Sequence, residues 1–134
     1  MKNYLIDTHI LIWALLEDEK LSNKIIKIFE SSNNQIYISQ ISLIEIAIKN
    51  KLGKLPNFKY SIISLIEKLN QIEVQIVPIK NEHVNAYDSI ELIENHRDPF
   101  DRLIIATALF ENLPIISADD KFKNYKNIIE LVEN

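Results

Sequence analysis

The chain has no cysteine, one glycine and only two arginines, and each scarcity removes a class of explanation. Without cysteine there are neither disulfides nor thiolate ligands for zinc or iron. That suits a reducing compartment and makes a cytoplasmic location the default expectation. Arg97 and Arg102 stand beside thirteen lysines in a chain of net charge −4. No broad basic face is therefore available to coat nucleic acid by counterion release, and any such partner has to be held locally. Long apolar runs are missing too: the longest, Ile10 to Leu16, falls far short of the ~20 residues that span a bilayer. The opening lysine and apolar residues resemble a secretion signal, but Asp7 and His9 interrupt them and no small-residue cleavage site follows. Neither a membrane span nor a signal peptide is expected.

What is present is an ordinary globular balance, 47% apolar and 25% charged residues in 134, which predicts one domain that buries about two thirds of its unfolded surface. Short runs rich in Ile, Val and Tyr at 3–6, 35–39, 74–79, 114–118 and 127–132 read as strands. Helical patterns fill the gaps, at 9–16, 21–31, 41–52, 60–71, 81–94 and 99–112. Strands separated by helices imply crossover connections and a mainly parallel sheet covered on both faces, an α/β sandwich. Gly53 fits the left-handed position that closes a helix. Repeats, linkers and low-complexity tracts are absent.

Four acids fall where such a sheet binds ligands. Asp7 ends the first strand, Glu45 lies early in the helix after the second, Asp101 opens the helix before the fourth, and Asp119 follows the fourth. All are expected at the carboxyl edge of the sheet, where crevices open at a reversal of strand order. Converging carboxylates repel by several kcal/mol per close pair even at an effective dielectric of about 20, so a cation should join them. Magnesium or manganese suits oxygen donors; His9, His83 and His96 show no zinc-ligand spacing. The chemistry open to such a site is phosphodiester hydrolysis by a cation-activated water, with the histidines as polar wall rather than general base.

Each acid except Asp7 also has a local explanation; a buried acid after four strand residues has few. In "DPFD", Asp98 reads as an N-cap and Pro99 as the first helical residue, with Asp101 third and able to reach back. Glu45 either closes a capping box with Ser42 or sits one turn into a helix that starts at Ser39. Asp119 can cap the turn before Lys121, and Asp120 competes for any role it has. Lys49, Lys51 and Lys54 could flank the crevice and meet RNA phosphates, yet a lysine-rich helix end is more often just favourable to the helix dipole. Arg102 suits a phosphate or a salt bridge to a nearby acid, and Trp13 suits the core or a surface under a protein partner.

The segments "YLIDTHILIWAL", "ISQISLIEIAIKNKLGKL", "HRDPFDRLIIATAL" and "IISADDKF" together resemble the four acidic motifs of PIN-domain ribonucleases, specifically VapC toxins of type II toxin–antitoxin pairs. The resemblance runs over nearly the whole chain in the right order. It implies a three-layer α/β/α fold and a Mg²⁺- or Mn²⁺-dependent endoribonuclease, usually a homodimer, silenced by a small antitoxin. Carried over by position, the acidic site is Asp7, Glu45, Asp101 and Asp119, with Asp98 nearby and Thr8 or Ser117 supplying hydroxyls around it. Ile44 stands where tryptophan is common, and Ser117 where threonine is frequent; neither removes a ligand. Two other readings stay open: a PIN-like binding or regulatory module without catalysis, and a phosphatase with an aspartyl nucleophile. The phosphatase would want a second acid at position nine, which is His9.

Overall fold

In the computed structural model, which describes residues 1–93 and 98–134, five parallel strands form one sheet in the order β3-β2-β1-β4-β5. The strands are β1 (Lys2–Ile6), β2 (Asn34–Ser39), β3 (Val74–Val77), β4 (Ile115–Ser117) and β5 (Leu131–Glu133). The helices are α1 (Thr8–Leu16), α2 (Asn23–Glu30), α3 (Gln40–Lys51), α4 (Ile62–Gln71), α5 (Asn81–Ser89) and α6 (Pro99–Glu111). The mainly parallel sheet expected from the strand–helix alternation is thus wholly parallel among the described strands.

Alternation along β1 divides the core. Tyr4 and Ile6 face α1 to α4, meeting Ile10, Ile25, Leu43, Ile46, Leu65 and Leu69, whereas Leu5 faces α5 and α6, meeting Ala86, Ile104, Ile105 and Ala108. Helices on both faces give the three layers. Progression β1-β2-β3 runs to one side and β4-β5 to the other. Strand order therefore reverses beside β1, and the crevice at the carboxyl ends of β1 and β4 is the topological switch point.

Helix boundaries follow local chemistry. Ser39 caps α3, its hydroxyl accepting from the Ile41 N–H at 3.2 Å, so Glu45 lies in the second turn and does not box with Ser42. Gly53 takes φ +71° just beyond α3, as a helix-closing glycine should. Asp98 caps α6 by accepting the Phe100 and Asp101 N–H groups at 2.8 and 3.4 Å, with Pro99 in the first helical position. Asp98→Ala is accordingly expected to cost ~1 kcal/mol in chemical denaturation and Asp98→Asn almost nothing, because Asn caps as well as Asp.

Three expectations are corrected. The third strand stops at Val77 because Pro78 has no N–H to pair. The fifth covers only Leu131–Glu133, since a 3-10 helix over Asp120–Tyr125 and the turn after it occupy the preceding segment. The helix read as 81–94 ends at Ser89; residue 94, like His96 and Arg97, lies outside the described residues.

Candidate metal centre

Asp7 sits at the switch point, where β1 gives way to α1. Its carboxylate caps that helix, accepting the Ile10 N–H at 2.9 Å, and takes a hydrogen bond from the Ser117 hydroxyl at the end of β4. Ser117 Oγ also accepts the Asp119 N–H at 3.0 Å, so one hydroxyl links the ends of two strands. Asp7 is only 4% exposed. Burial raises its pKa to about 7; the Ser117 and Ile10 hydrogen bonds oppose this, and the Asp101 and Asp119 carboxylates add to it.

Glu45, also buried, is tied from α3 to Thr8, the residue after Asp7. Thr8 Oγ1 donates to Glu45 Oε1 at 2.7 Å and lies 2.8 Å from Ser42 Oγ. A hydroxyl has one proton, so with Thr8 committed to the carboxylate, Ser42 must donate to Thr8. Lys49, one turn on, meets Glu45 Oε2 at 3.1 Å, the i,i+4 geometry that places a lysine over a preceding acid. The same ammonium lies 3.4 Å from His9 Nε2, and His9 is driven toward its neutral form by the partial burial of its ring first and by Lys49 second. The Glu45 charge is therefore matched within the protein, while among the described residues the charged groups acting on Asp7 are the acids Asp101 and Asp119.

Asp101 stands in the first turn of α6, half-buried, and Asp119 is exposed at the end of β4. Asp119 also caps the 3-10 helix, its Oδ1 accepting the Lys121 N–H at 2.9 Å. Both bear on Asp7 electrostatically. Asp120 turns to solvent, 89% exposed and paired with Lys123 at 3.1 Å, so it is not at the crevice. Among the described residues no group of three or more acids or histidines is close enough to enclose an ion. The acids are therefore spread along the edge rather than gathered in one cluster.

Arg102 is a further correction: it is buried and meets no described acid. It is 3% exposed, and its guanidinium donates to the Ile90 and Glu91 carbonyls at 2.9 and 3.0 Å and to the Tyr125 hydroxyl at 3.2 Å, with its plane 5.2 Å from the Tyr87 ring. Lys51 and Lys54 are exposed around the end of α3. His83 belongs to the far end of α6 from Asp101: buried, it accepts the Lys80 N–H at Nδ1 and donates from Nε2 to Glu111 at 2.7 Å. Missed from the sequence were the pairing of Ser42 with Thr8 and of Lys49 with Glu45; the i,i+4 spacing signalled the second.

Carboxylates and hydroxyls thus gather at the switch point of a parallel α/β/α sandwich. Residues 4–128 match the PIN domain, and the chain belongs to the PIN domain family. The resemblance seen in the four acidic motifs is borne out at that level. No curated protein matches the chain. Solved structures share the fold. A chain of VapBC2 from Rickettsia felis, bound to a promoter DNA fragment, superposes with TM-score 0.69 at 23% identity, covering 98% of both chains. DNA-bound VapBC from Salmonella typhimurium gives 0.68 at 16% identity, with 99% of this chain and 98% of that one covered. VapBC-1 from nontypeable Haemophilus influenzae gives 0.65 at 20%, covering 98% and 97%. Among the described residues no helix is long and apolar enough to cross a membrane.

Proposed function

We propose that the protein is a VapC-type toxin, a divalent-metal-dependent endoribonuclease of the cytoplasm, built as a single PIN domain and held inactive by a cognate antitoxin. The observation that carries this reading is Asp7: a buried carboxylate at the switch point whose charged neighbours among the described residues, Asp101 and Asp119, are acids. Such a group asks for a cation, and the oxygen-only donor set fits Mg²⁺ or Mn²⁺ rather than zinc. Asp7, Asp101 and Asp119 would hold it, with Glu45 completing the site. When bound, the ion supplies positive charge against a phosphodiester oxygen and acidifies the attacking water.

The remaining roles belong to the chain. Ser117 orients Asp7, and the Thr8–Ser42 hydroxyl pair orients Glu45, so each carboxylate presents a fixed oxygen to the crevice. Asp98 fixes the first turn of α6 and with it Asp101. Lys49 lies at the rim, where a phosphate can compete with Glu45 for it. The toxin side of the reading draws support from the fold neighbours, which are toxin–antitoxin complexes, and a homodimer accords with the resemblance.

The test is cleavage of a labelled single-stranded RNA by the purified protein. Cutting is expected with Mg²⁺ or Mn²⁺ and is expected to stop when EDTA is added in excess; cleavage undiminished by EDTA would defeat the metal role. The spread of the acids along the edge and the internally matched Glu45 favour a second reading, a binding module without catalysis. RNA bound but left intact with either metal would decide for it.

A further inference from the structure

We propose that His9, Trp13, Lys20 and Lys49 form a track that guides single-stranded RNA into the acidic crevice, the two rings meeting unstacked bases and the two ammonium groups meeting phosphates. This rests on the nuclease reading and adds to it the residues that hold the strand outside the acids.

The track begins at the site itself. Because Asp7 caps α1, His9 and Trp13, four residues apart, share a helix face that starts at the carboxylate. Their ring centroids are 6.2 Å apart and tilted by 53°, so they line up along the helix without covering each other. A cation accompanies each ring: Lys49 Nζ lies 3.4 Å from His9 Nε2, and Lys20 Nζ stands 5.7 Å from the Trp13 ring centroid. His9 and Lys20 are exposed, and Trp13 is half-buried, one side packed on the core. Rings alternating with cations match a polymer that alternates bases with phosphates, and a single strand has base faces to spare where a duplex has none.

Lys20 is also a placed lysine. Asn134, beyond β5, accepts the Ser22 N–H at Oδ1 and donates from Nδ2 to the Lys20 carbonyl, both at 2.8 Å, while its own N–H goes to the Ser117 carbonyl at 3.0 Å. The Asp18 carboxylate accepts the Lys20 N–H at 2.9 Å. The loop carrying Lys20 is thereby tied to the strand end that carries Ser117, and track and crevice keep one geometry. When a base takes the Trp13 face, the exposed Lys20 ammonium is free to swing to the adjoining phosphate.

Trp13 is the sole tryptophan, so its fluorescence reports the track directly. A short single-stranded RNA titrated into the protein in EDTA is expected to quench it, with anisotropy of a labelled copy giving the affinity independently; a duplex of the same length should leave it unchanged. His9→Ala should weaken binding by about fivefold or more, and His9→Phe should keep most of the affinity. Lys20→Ala should weaken binding and lower the slope of log affinity against log salt by about one. RNA that binds by anisotropy, or is cut with Mn²⁺, while Trp13 stays unquenched and Lys20→Ala matches the wild type overturns the track and leaves the nuclease reading standing. RNA that is neither bound nor cut overturns both.

Discussion

Asp7→Asn is expected to abolish RNA cleavage and, at the same time, to make the metal-free protein more stable above neutral pH. Both effects come from one buried charge. Ionised Asp7 lacks the solvation it would have in water and sits in the field of Asp101 and Asp119, which is why its pKa reaches about 7. Below the ordinary value of 3.8 the group is protonated in folded and unfolded chains alike and adds no pH dependence. As pH rises from about 4 to about 7, the unfolded chain gives up the proton while the folded chain holds it, so stability declines across that window. Above it the loss is constant.

Asn carries no charge, caps a helix as well as Asp and can still accept the Ser117 hydroxyl, so the decline should vanish. The gain over wild type at about pH 8 in EDTA should be ~2–4 kcal/mol, falling toward zero near pH 4. Thermal melts at both pH values measure it. Added Mg²⁺ or Mn²⁺ should raise the wild-type midpoint toward that of the variant and move the variant far less, because the variant keeps Asp101 and Asp119 but lacks the buried charge that the ion neutralises. A variant less stable than wild type at pH 8 would show that the Asp7 charge is already compensated and would remove the main argument for a cation.

The acids could be placed from sequence because an all-parallel sheet sends every strand to the same edge. Once "NYLI" and "PIISA" are strands of such a sheet, Asp7 and Ser117 end at the same edge; that β1 and β4 are neighbours, which brings the two side by side, is known only from the structure. The helix starts at Ser39 and Asp98 were legible for a local reason, a side-chain acceptor one residue before a helical pattern. What stayed hidden depends on distant contacts. "KFKNYKN" is polar in pattern, yet Phe122 and Tyr125, three residues apart, both sink into the core beneath α6, and the chain coils into a 3-10 helix to let them. The following apolar run is consumed in part by that turn, which is why the last strand is short. Likewise, nothing local places Lys20 beside Trp13; that depends on Asn134, more than a hundred residues away.

Arg102 shows how a charge can mislead beside a site. It neighbours Asp101, yet it stands three and four residues before Ile105 and Ala106, which are fully buried, so helical periodicity turns it inward with them. There its fork ties the end of α5 to the 3-10 helix, satisfying the Ile90 and Glu91 carbonyls and the Tyr125 hydroxyl. Arg102→Lys is therefore expected to cost ~2–4 kcal/mol and lower the melting midpoint by roughly 10 °C. A lysine ammonium cannot reach two carbonyls as a planar fork does, and each buried carbonyl left unpaired costs ~1–3 kcal/mol. Arg102→Ala should cost more, ~3–5 kcal/mol, by emptying the site as well. In both variants the affinity of the folded protein for single-stranded RNA, measured well below the midpoint, should stay within about twofold of wild type, since every described partner of this guanidinium lies inside the fold. An arginine that held phosphate would behave the other way: lysine would replace it as a point charge, alanine would weaken RNA binding, and neither would move the melting midpoint. Unchanged melting with weakened RNA binding would thus return Arg102 to the crevice.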